Sequence, residues 1–337
     1  MKRRLWHRSR GAWCVAIAVV ACGAVALAQG RGGRRGGASS DAPLTVILGR
    51  PTDRSITVSV LSPKAVDARV EFGKADGPAR VMTPVVSGSA ATPFEIPLET
   101  LEPNTRYTYR LMTREPGATT FTGGADASFM TARPPGSTFS FGVQGDSHPE
   151  RDQKMYDGVL YERTMDLVKA EHPDLYFMLG DDFSIEREIA GNALTQAAVN
   201  AVYARQRPFL ARMAGATSLF HVNGNHEEAG RFLLDGTANS APVLAGRARN
   251  AYLPLPAPDA FYSGDEERVE HVGLLRDYYA FTWGDALFVT IDPYWHSSVQ
   301  VDADPGGRGG GGGDHLFRLP RVRSPDRGDL TFLRHRP

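Results

Sequence analysis

Three short segments of this 337-residue chain each close an apolar run with a glycine followed by metal-type ligands. They are Gly145-Asp146-Ser147-His148, Gly180-Asp181-Asp182 and Gly224-Asn225-His226-Glu227. Carboxylates, imidazoles and an amide oxygen form a mixed O/N donor set that suits Mn, Fe or Zn and disfavours a thiolate-seeking metal. Asp146 and His148 are two apart, so on extended chain they face the same way and can chelate one ion. Asp181 has two oxygens and can bridge two cations, while Asn225 offers a neutral carbonyl oxygen to the second. Two ions about 3.5–4 Å apart can hold a hydroxide at neutral pH and clamp the oxygens of a phosphoryl group.

Such residues must be brought together by the elements before them. Residues 138–144, 174–179 and 217–222 each read as a buried strand. A glycine at the strand end permits the sharp turn that aims the next side chain. In an open α/β sheet the carboxyl ends of parallel strands share one edge, where ligand sites gather. The intervals of 35 residues (146 to 181) and 44 residues (181 to 225) each leave room for a βαβ crossover. Between the strands, 153–170 puts Tyr156, Val159, Leu160, Leu167 and Val168 near helical spacing. Residues 195–213 do the same with Val199, Val202, Phe209 and Met213, interrupted at Pro208. Residues 229–276 show little periodicity and read as a long loop region shaping access. Residues 278–283, Gly284-Asp285 and 286–292 read as a β-hairpin.

Upstream, the pattern is β. Residues 44–48, 55–61, 68–72, 94–98, 106–112 and 128–131 are short and rich in β-branched or aromatic residues. Six or seven such strands between 43 and 133 make a small β-sandwich, and Pro134-Pro135-Gly136 is a stiff boundary. Residues 29–42, rich in Gly, Arg and Ser, read as a flexible linker. Residues 305–337, with five consecutive glycines followed by Arg and Pro, show no apolar periodicity and read as an irregular tail.

Hydrophobic content of 42% and charged content of 23% are those of an ordinary globular protein. The formal charge of zero averages unlike segments: residues 1–40 hold eight basic and no acidic residues, whereas 41–305 hold 23 basic and 35 acidic. An acidic body with basic ends gives no footprint for nucleic acid. The basic stretch from Lys2 to Arg10, the apolar run 12–28 and the closing Ala26-Leu27-Ala28 have the layout of a secretory signal peptide over 1–28. Export to the periplasm or extracellular space is the expectation. A single membrane anchor is the alternative, and Val19-Val20-Ala21-Cys22 resembles a lipoprotein cleavage box. Membrane association is thus expected only through the signal or a lipid anchor. Both cysteines, Cys14 and Cys22, lie in this segment, so a chain cut after Ala28 has no disulfide framework.

Taken in order, Gly-Asp-x-His, Gly-Asp and Gly-Asn-His-Glu resemble the calcineurin-like metallophosphoesterases. The β-sandwich in front and the hairpin from Asp277 to Asp292 narrow the likeness to secreted members with a preceding fibronectin type III-like domain, such as purple acid phosphatases and alkaline-phosphatase-D relatives. Residues 101–110 look like the E–F corner of such a domain, with Tyr107 bonding back across it. The resemblance implies a layered α/β metallophosphoesterase fold over 137–304, incomplete, after an all-β fibronectin III-like sandwich over 43–133. It implies two metal ions (Fe, Mn or Zn) and a phosphate-ester substrate. Asp146 and His148 match first-metal ligands, Asp181 the bridging aspartate and Asn225 a second-metal ligand. His226 matches the histidine that contacts phosphate and protonates the leaving group, a task suited to imidazole.

This chain also departs from the pattern. Purple acid phosphatases of the iron-tyrosinate type carry a tyrosine where Ser184 stands and lack the histidine at 148, so no tyrosinate ligand or purple colour is expected. The family needs a further histidine and then Gly-His-x-His, yet after His226 this chain has only His271, His296, His315 and His335. By the pattern, the first metal keeps three of four protein ligands and the second two of four. The expectation is a truncation or a frame shift near the glycine run, and with it an impaired phosphoesterase. The alternative is a non-catalytic surface protein built of a fibronectin-like module and a degenerate phosphoesterase fold. Glu227 reads as a supporting or capping residue, Asp182 as pointing away from the ligands, and His221 as a core histidine. His172, His271 and Asp265-Glu266-Glu267 read as exposed loop residues.

Overall fold

The computed structural model describes residues 43–154 and 156–295. The signal segment, the linker over 29–42, the tail over 305–337, His296 and the stretch up to 304 lie outside the described residues.

Eight strands form the first domain: β1 (Thr45–Gly49), β2 (Ile56–Leu61), β3 (Val66–Lys74), β4 (Val81–Met82), β5 (Val86–Gly88), β6 (Phe94–Leu98), β7 (Arg106–Arg114) and β8 (Thr122–Met130). They make two antiparallel sheets, β1-β2-β6 and β4-β3-β7-β8, with β5 also paired to β3. Alternation drives the packing: Tyr107, Tyr109 and Leu111 on β7 turn inward. They share one core with Leu48, Val58, Val60 and Ile96 of the other sheet. The Tyr107 hydroxyl accepts from the Glu102 amide at 2.9 Å, which closes the corner before β7.

The second domain is built on β9 (Phe141–Gln144), α1 (Gly158–Glu171), β10 (Leu175–Met178), α2 (Glu186–Ala190), α3 (Gln196–Ala214) and β11 (Ser218–His221). The three strands are parallel, in the order β11-β10-β9. Tyr176 and Met178 on β10 join the core with Met165 of α1 and Val199 and Leu210 of α3. Leu175 and Phe177 join the opposite layer. The later elements are α4 (Ala241–Tyr252), β12 (Ser263–Gly264), β13 (Arg268–Val269), β14 (Gly273–Leu274), β15 (Tyr279–Trp283) and β16 (Ala286–Thr290). α4 adds Leu244 and Ala248 to the first core, and β15 supplies Tyr279, Phe281 and Trp283 to the opposite layer. β15 and β16 form a hairpin turning at Gly284-Asp285, and Phe281 stacks on Phe220 with ring centroids 4.8 Å apart.

Four expectations about local structure are corrected. The first helix begins at Gly158, capped by the Asp157 carboxylate, which accepts from the Val159 and Leu160 amides. Val159, Leu160 and Leu167 are exposed, and Tyr161 with Met165, one turn apart, supply the buried face. α3 passes through Pro208 without a break, because its flanks Arg207 and Leu210 are locked in buried contacts. The region 229–276 contains α4, a helix buried along most of its length, so no single-face stripe marks it in the sequence. Asp265 is buried rather than solvated.

The two domains are joined by polar anchors. Arg207 of α3 is fully buried and donates to the Ser59 carbonyl (2.9 Å), the Ser59 hydroxyl (3.1 Å), Thr45 Oγ1 (3.2 Å) and the Tyr252 carbonyl. A buried charge is tolerable only when its donors are occupied in this way. Tyr109 donates to the Gly215 carbonyl at 2.6 Å, and Arg133 makes a two-bond pair with Asp174 at the head of β10.

Candidate metal centre

Because β9, β10 and β11 are parallel and in register at Gln144, Met178 and His221, their carboxyl ends open on one edge. The chain leaves this edge in left-handed backbone: φ is 56° at Asp146, 44° at His148, 98° at Gly180 and 60° at Asp181. For the three non-glycine residues this conformation costs on the order of 1–3 kcal/mol each, and persists only where the surroundings over-determine it. Those surroundings are visible. The Asp146 amide donates to the Gly180 carbonyl and the His148 amide to the Asp181 carbonyl, both at 3.0 Å. The His226 amide donates to Asp181 Oδ1 at 3.0 Å. Gly180 and Gly224 pass so closely that a Cβ on Gly180 would lie 2.1 Å from the Gly224 nitrogen.

The side chains converge. His148 Nε2 is 3.7 Å from both Asp146 Oδ1 and Asp181 Oδ2, and His226 Nε2 is 3.9 Å from Asp181 Oδ2. One donor atom from each of His148, Asp181 and His226 lies within 4.8 Å of the others. Asp146, with 45% of its side chain exposed, sits at the mouth. Asn225 is half-buried and opens the short turn Asn225–Glu227 that also carries His226. Asp182 is turned into the protein, its Oδ1 accepting from Gln144 Nε2 at 3.0 Å. His221 is buried and accepts from Arg249 Nε at 3.1 Å through Nδ1. His172 and His271 are exposed, away from this cluster.

Glu227, read from the sequence as a supporting residue, is joined by three that the motifs did not assign: Glu150, Arg151 and Glu186. Buried Glu227 accepts four backbone amides, from Asp181 (2.9 Å) and Gly224 (2.7 Å) on one oxygen and Asp182 (2.8 Å) and Phe183 (2.9 Å) on the other. Its capping role was legible, but its function of tying two loops together was not. Glu150 Oε1 lies 2.9 Å from His148 Nδ1. Arg151 Nη2 is 3.3 Å from His226 Nε2, and Glu186 Oε1 is 2.7 Å from His226 Nδ1. Only the closeness of Glu150 and Arg151 to His148 in sequence could have flagged them.

Electrostatics fit a cation. Burial and the nearby Glu227 charge push the Asp181 carboxyl up to about 6, against the pull of His226 and His148. Burial pushes Asp182 up to about 8, against hydrogen bonds from Ser147 and Gln144. Burial also opposes the charge of Glu227, but His221 and the backbone amides outweigh it and hold the carboxyl down at about 2. For His148, burial lowers the pKa, but the Glu150 hydrogen bond and charge, with the charge of Asp181, together outweigh it and give a net rise. Ionisation of Asp181 is therefore disfavoured where water is scarce, and a bound cation would favour its charged form.

The fold is similar to two solved structures. One is PhoD, at 18% identity and a TM-score of 0.50, covering 74% of this chain and 51% of that chain. The other is the purple acid phosphatase PPD1 isolated from yellow lupin (Lupinus luteus) seeds, at 18% identity and a TM-score of 0.50, covering 72% of this chain and 43% of that chain. This chain thus spans about half the length of these proteins or less. No family model matches the chain, and no curated protein matches it in sequence. The likeness shows that this chain shares their fold.

Proposed function

We propose that this chain is an exported metal-dependent phosphoesterase, acting on phosphate esters with two divalent or trivalent ions, and impaired as it stands. The observation that carries the reading is the convergence of His148, Asp181 and His226 at one sheet edge, with Asp146 at the mouth and with Asp146, His148 and Asp181 on left-handed backbone. Asp146, His148 and Asp181 would hold the first ion, and Asp181 and Asn225 the second. When bound, the ions supply Lewis-acid polarisation of the phosphoryl group and lower the pKa of water.

The protein's own contribution is positioning. Asp181 is fixed from three sides, through its amide on Glu227, its carbonyl under the His148 amide and its carboxylate under the His226 amide. His226 stands beside it, within reach of a phosphoryl oxygen or a leaving group, where an imidazole can act as general acid, and Glu186 Oε1 lies 2.7 Å from its Nδ1. The N-terminal layout of basic stretch, apolar run and Ala-x-Ala supports export. A fibronectin III-like identity for the first domain is supported by its two-sheet antiparallel architecture and the Tyr107 corner.

One observation favours the rival reading of a non-catalytic surface protein. Among the described residues after Glu227 the only histidine is His271, which is exposed and stands by Glu270 beyond β13. Metal stoichiometry and hydrolysis of p-nitrophenyl phosphate by the purified chain separate the two. Metal binding lost in Asp181→Asn, with weak metal-dependent turnover in the parent, supports the enzyme. A parent that binds no Mn, Fe or Zn overturns it.

A further inference from the structure

The three ligand loops explain how His148 arrives at the site, but an imidazole must also present the right nitrogen. His148 is almost wholly buried, so water cannot choose its tautomer. Its Nδ1 is 2.9 Å from Glu150 Oε1, while its Nε2 looks between the carboxylates of Asp146 and Asp181. A carboxylate only accepts, so the pair is satisfied when Nδ1 carries the proton and Nε2 keeps its lone pair. Glu150 is itself constrained. Arg151 Nε stands 3.3 Å from Oε1. Among the described residues, Oε2 is buried without a hydrogen-bond partner, as are Ser184 Oγ and Gln206 Oε1. These three residues line one cavity of about 20 Å³ between the loops after β9 and β10 and the face of α3. A space of that size holds one water, and three polar atoms are the usual number that such a water bonds.

We propose that Glu150 positions His148 by holding the Nδ1–H tautomer, and that one water shared with Ser184 and Gln206 holds Glu150. The consequence for metal affinity rests on the metal-centre reading above; the tautomer does not. A carboxylate behind a ligating histidine fixes its ring and raises its basicity, and losing one typically lowers metal affinity about 10–100-fold.

Ring-nitrogen NMR of His148 in the metal-free protein, at alkaline pH where the imidazole is neutral, tests the first half directly. Wild type should show the Nδ1–H form, and Glu150→Ala should move His148 toward Nε2–H. Mn²⁺ titration should show affinity about 10–100-fold lower in Glu150→Ala, with partial recovery in Glu150→Gln, which can still accept from Nδ1. Should Glu150→Ala misfold, as judged by circular dichroism, Glu150→Gln decides, with a weakened Nδ1–H preference expected. An unchanged tautomer and unchanged affinity in the variants overturn the role of Glu150. A wild type that binds no Mn²⁺ overturns the metal reading, while the tautomer comparison still decides Glu150. A crystal structure should place a water within hydrogen-bonding reach of Glu150, Ser184 and Gln206, and a dry cavity overturns that half.

Discussion

Replacing Glu227 by glutamine changes one atom, yet the structure makes it a severe perturbation. Each carboxylate oxygen accepts two buried amides: Asp181 and Gly224 on one, Asp182 and Phe183 on the other. A glutamine keeps only one acceptor oxygen. In either orientation its NH₂ group faces two N–H donors, so two buried amides lose their partner. An unsatisfied buried donor costs about 1–3 kcal/mol, which gives about 2–6 kcal/mol for the pair. Against a domain stability of about 5–15 kcal/mol that is a large fraction. Urea unfolding should therefore show Glu227→Gln shifted by at least about 2 kcal/mol, whereas exposed Glu115→Gln should stay within about 0.5 kcal/mol. Because two of the four amides belong to Asp181 and Asp182, the loop that carries the central carboxylate should loosen. Hydrogen exchange at 180–183 should accelerate more than exchange in β7. A midpoint shift below about 1 kcal/mol, with unchanged exchange in that loop, would refute the argument that Glu227 ties the two loops together.

Three further outcomes follow from the geometry. Gly180→Ala places a Cβ 2.1 Å from the Gly224 nitrogen at φ 98°, so it should destabilise by more than about 2 kcal/mol in thermal or urea unfolding; a neutral effect would mean that the loops can part. His226→Ala in an active, metal-replete form should keep metal and lose rate, most for poor leaving groups, as read from kcat across substituted phenyl phosphates. An equal loss for all would argue against an acid role, and loss of metal would make His226 a ligand. Burial, with Asp292 and Asp265 alongside, pushes the Asp277 carboxyl up to about 8. With the folded value above the unfolded one, its contribution to stability is complete below the unfolded pKa of about 4 and is lost as pH rises toward about 8. Asp277→Asn should flatten that decline and raise stability at neutral pH relative to wild type, measured by urea unfolding across pH; an unchanged profile would refute the assignment.

Much of this protein is legible along the chain wherever the physics is local. Strand alternation in β7, the turn at Gly284-Asp285, and the glycines before Asp146, Asp181 and Asn225 all act over a few residues. Spacing alone therefore brought the ligand types to three strand ends. What spacing could not decide is anything that depends on a surface supplied from elsewhere. Val159, Leu160 and Leu167 carry the helical period but face water, because the neighbouring α3 meets Tyr161 and Met165 instead. α4 has no readable stripe because partners bury it on several sides. Asp265, in an acidic run that reads as solvated, is enclosed beside Asp277. The site divides in the same way. The identities of Asp146, His148, Asp181, Asn225 and His226 belong to the sequence. The Gly180–Gly224 contact and the four amides gathered by Glu227 arise only when loops distant in sequence meet. Residue type and spacing determine which donor atoms exist, and tertiary packing determines which of them converge, because the loops that meet and the burial around them come from chain far away in sequence.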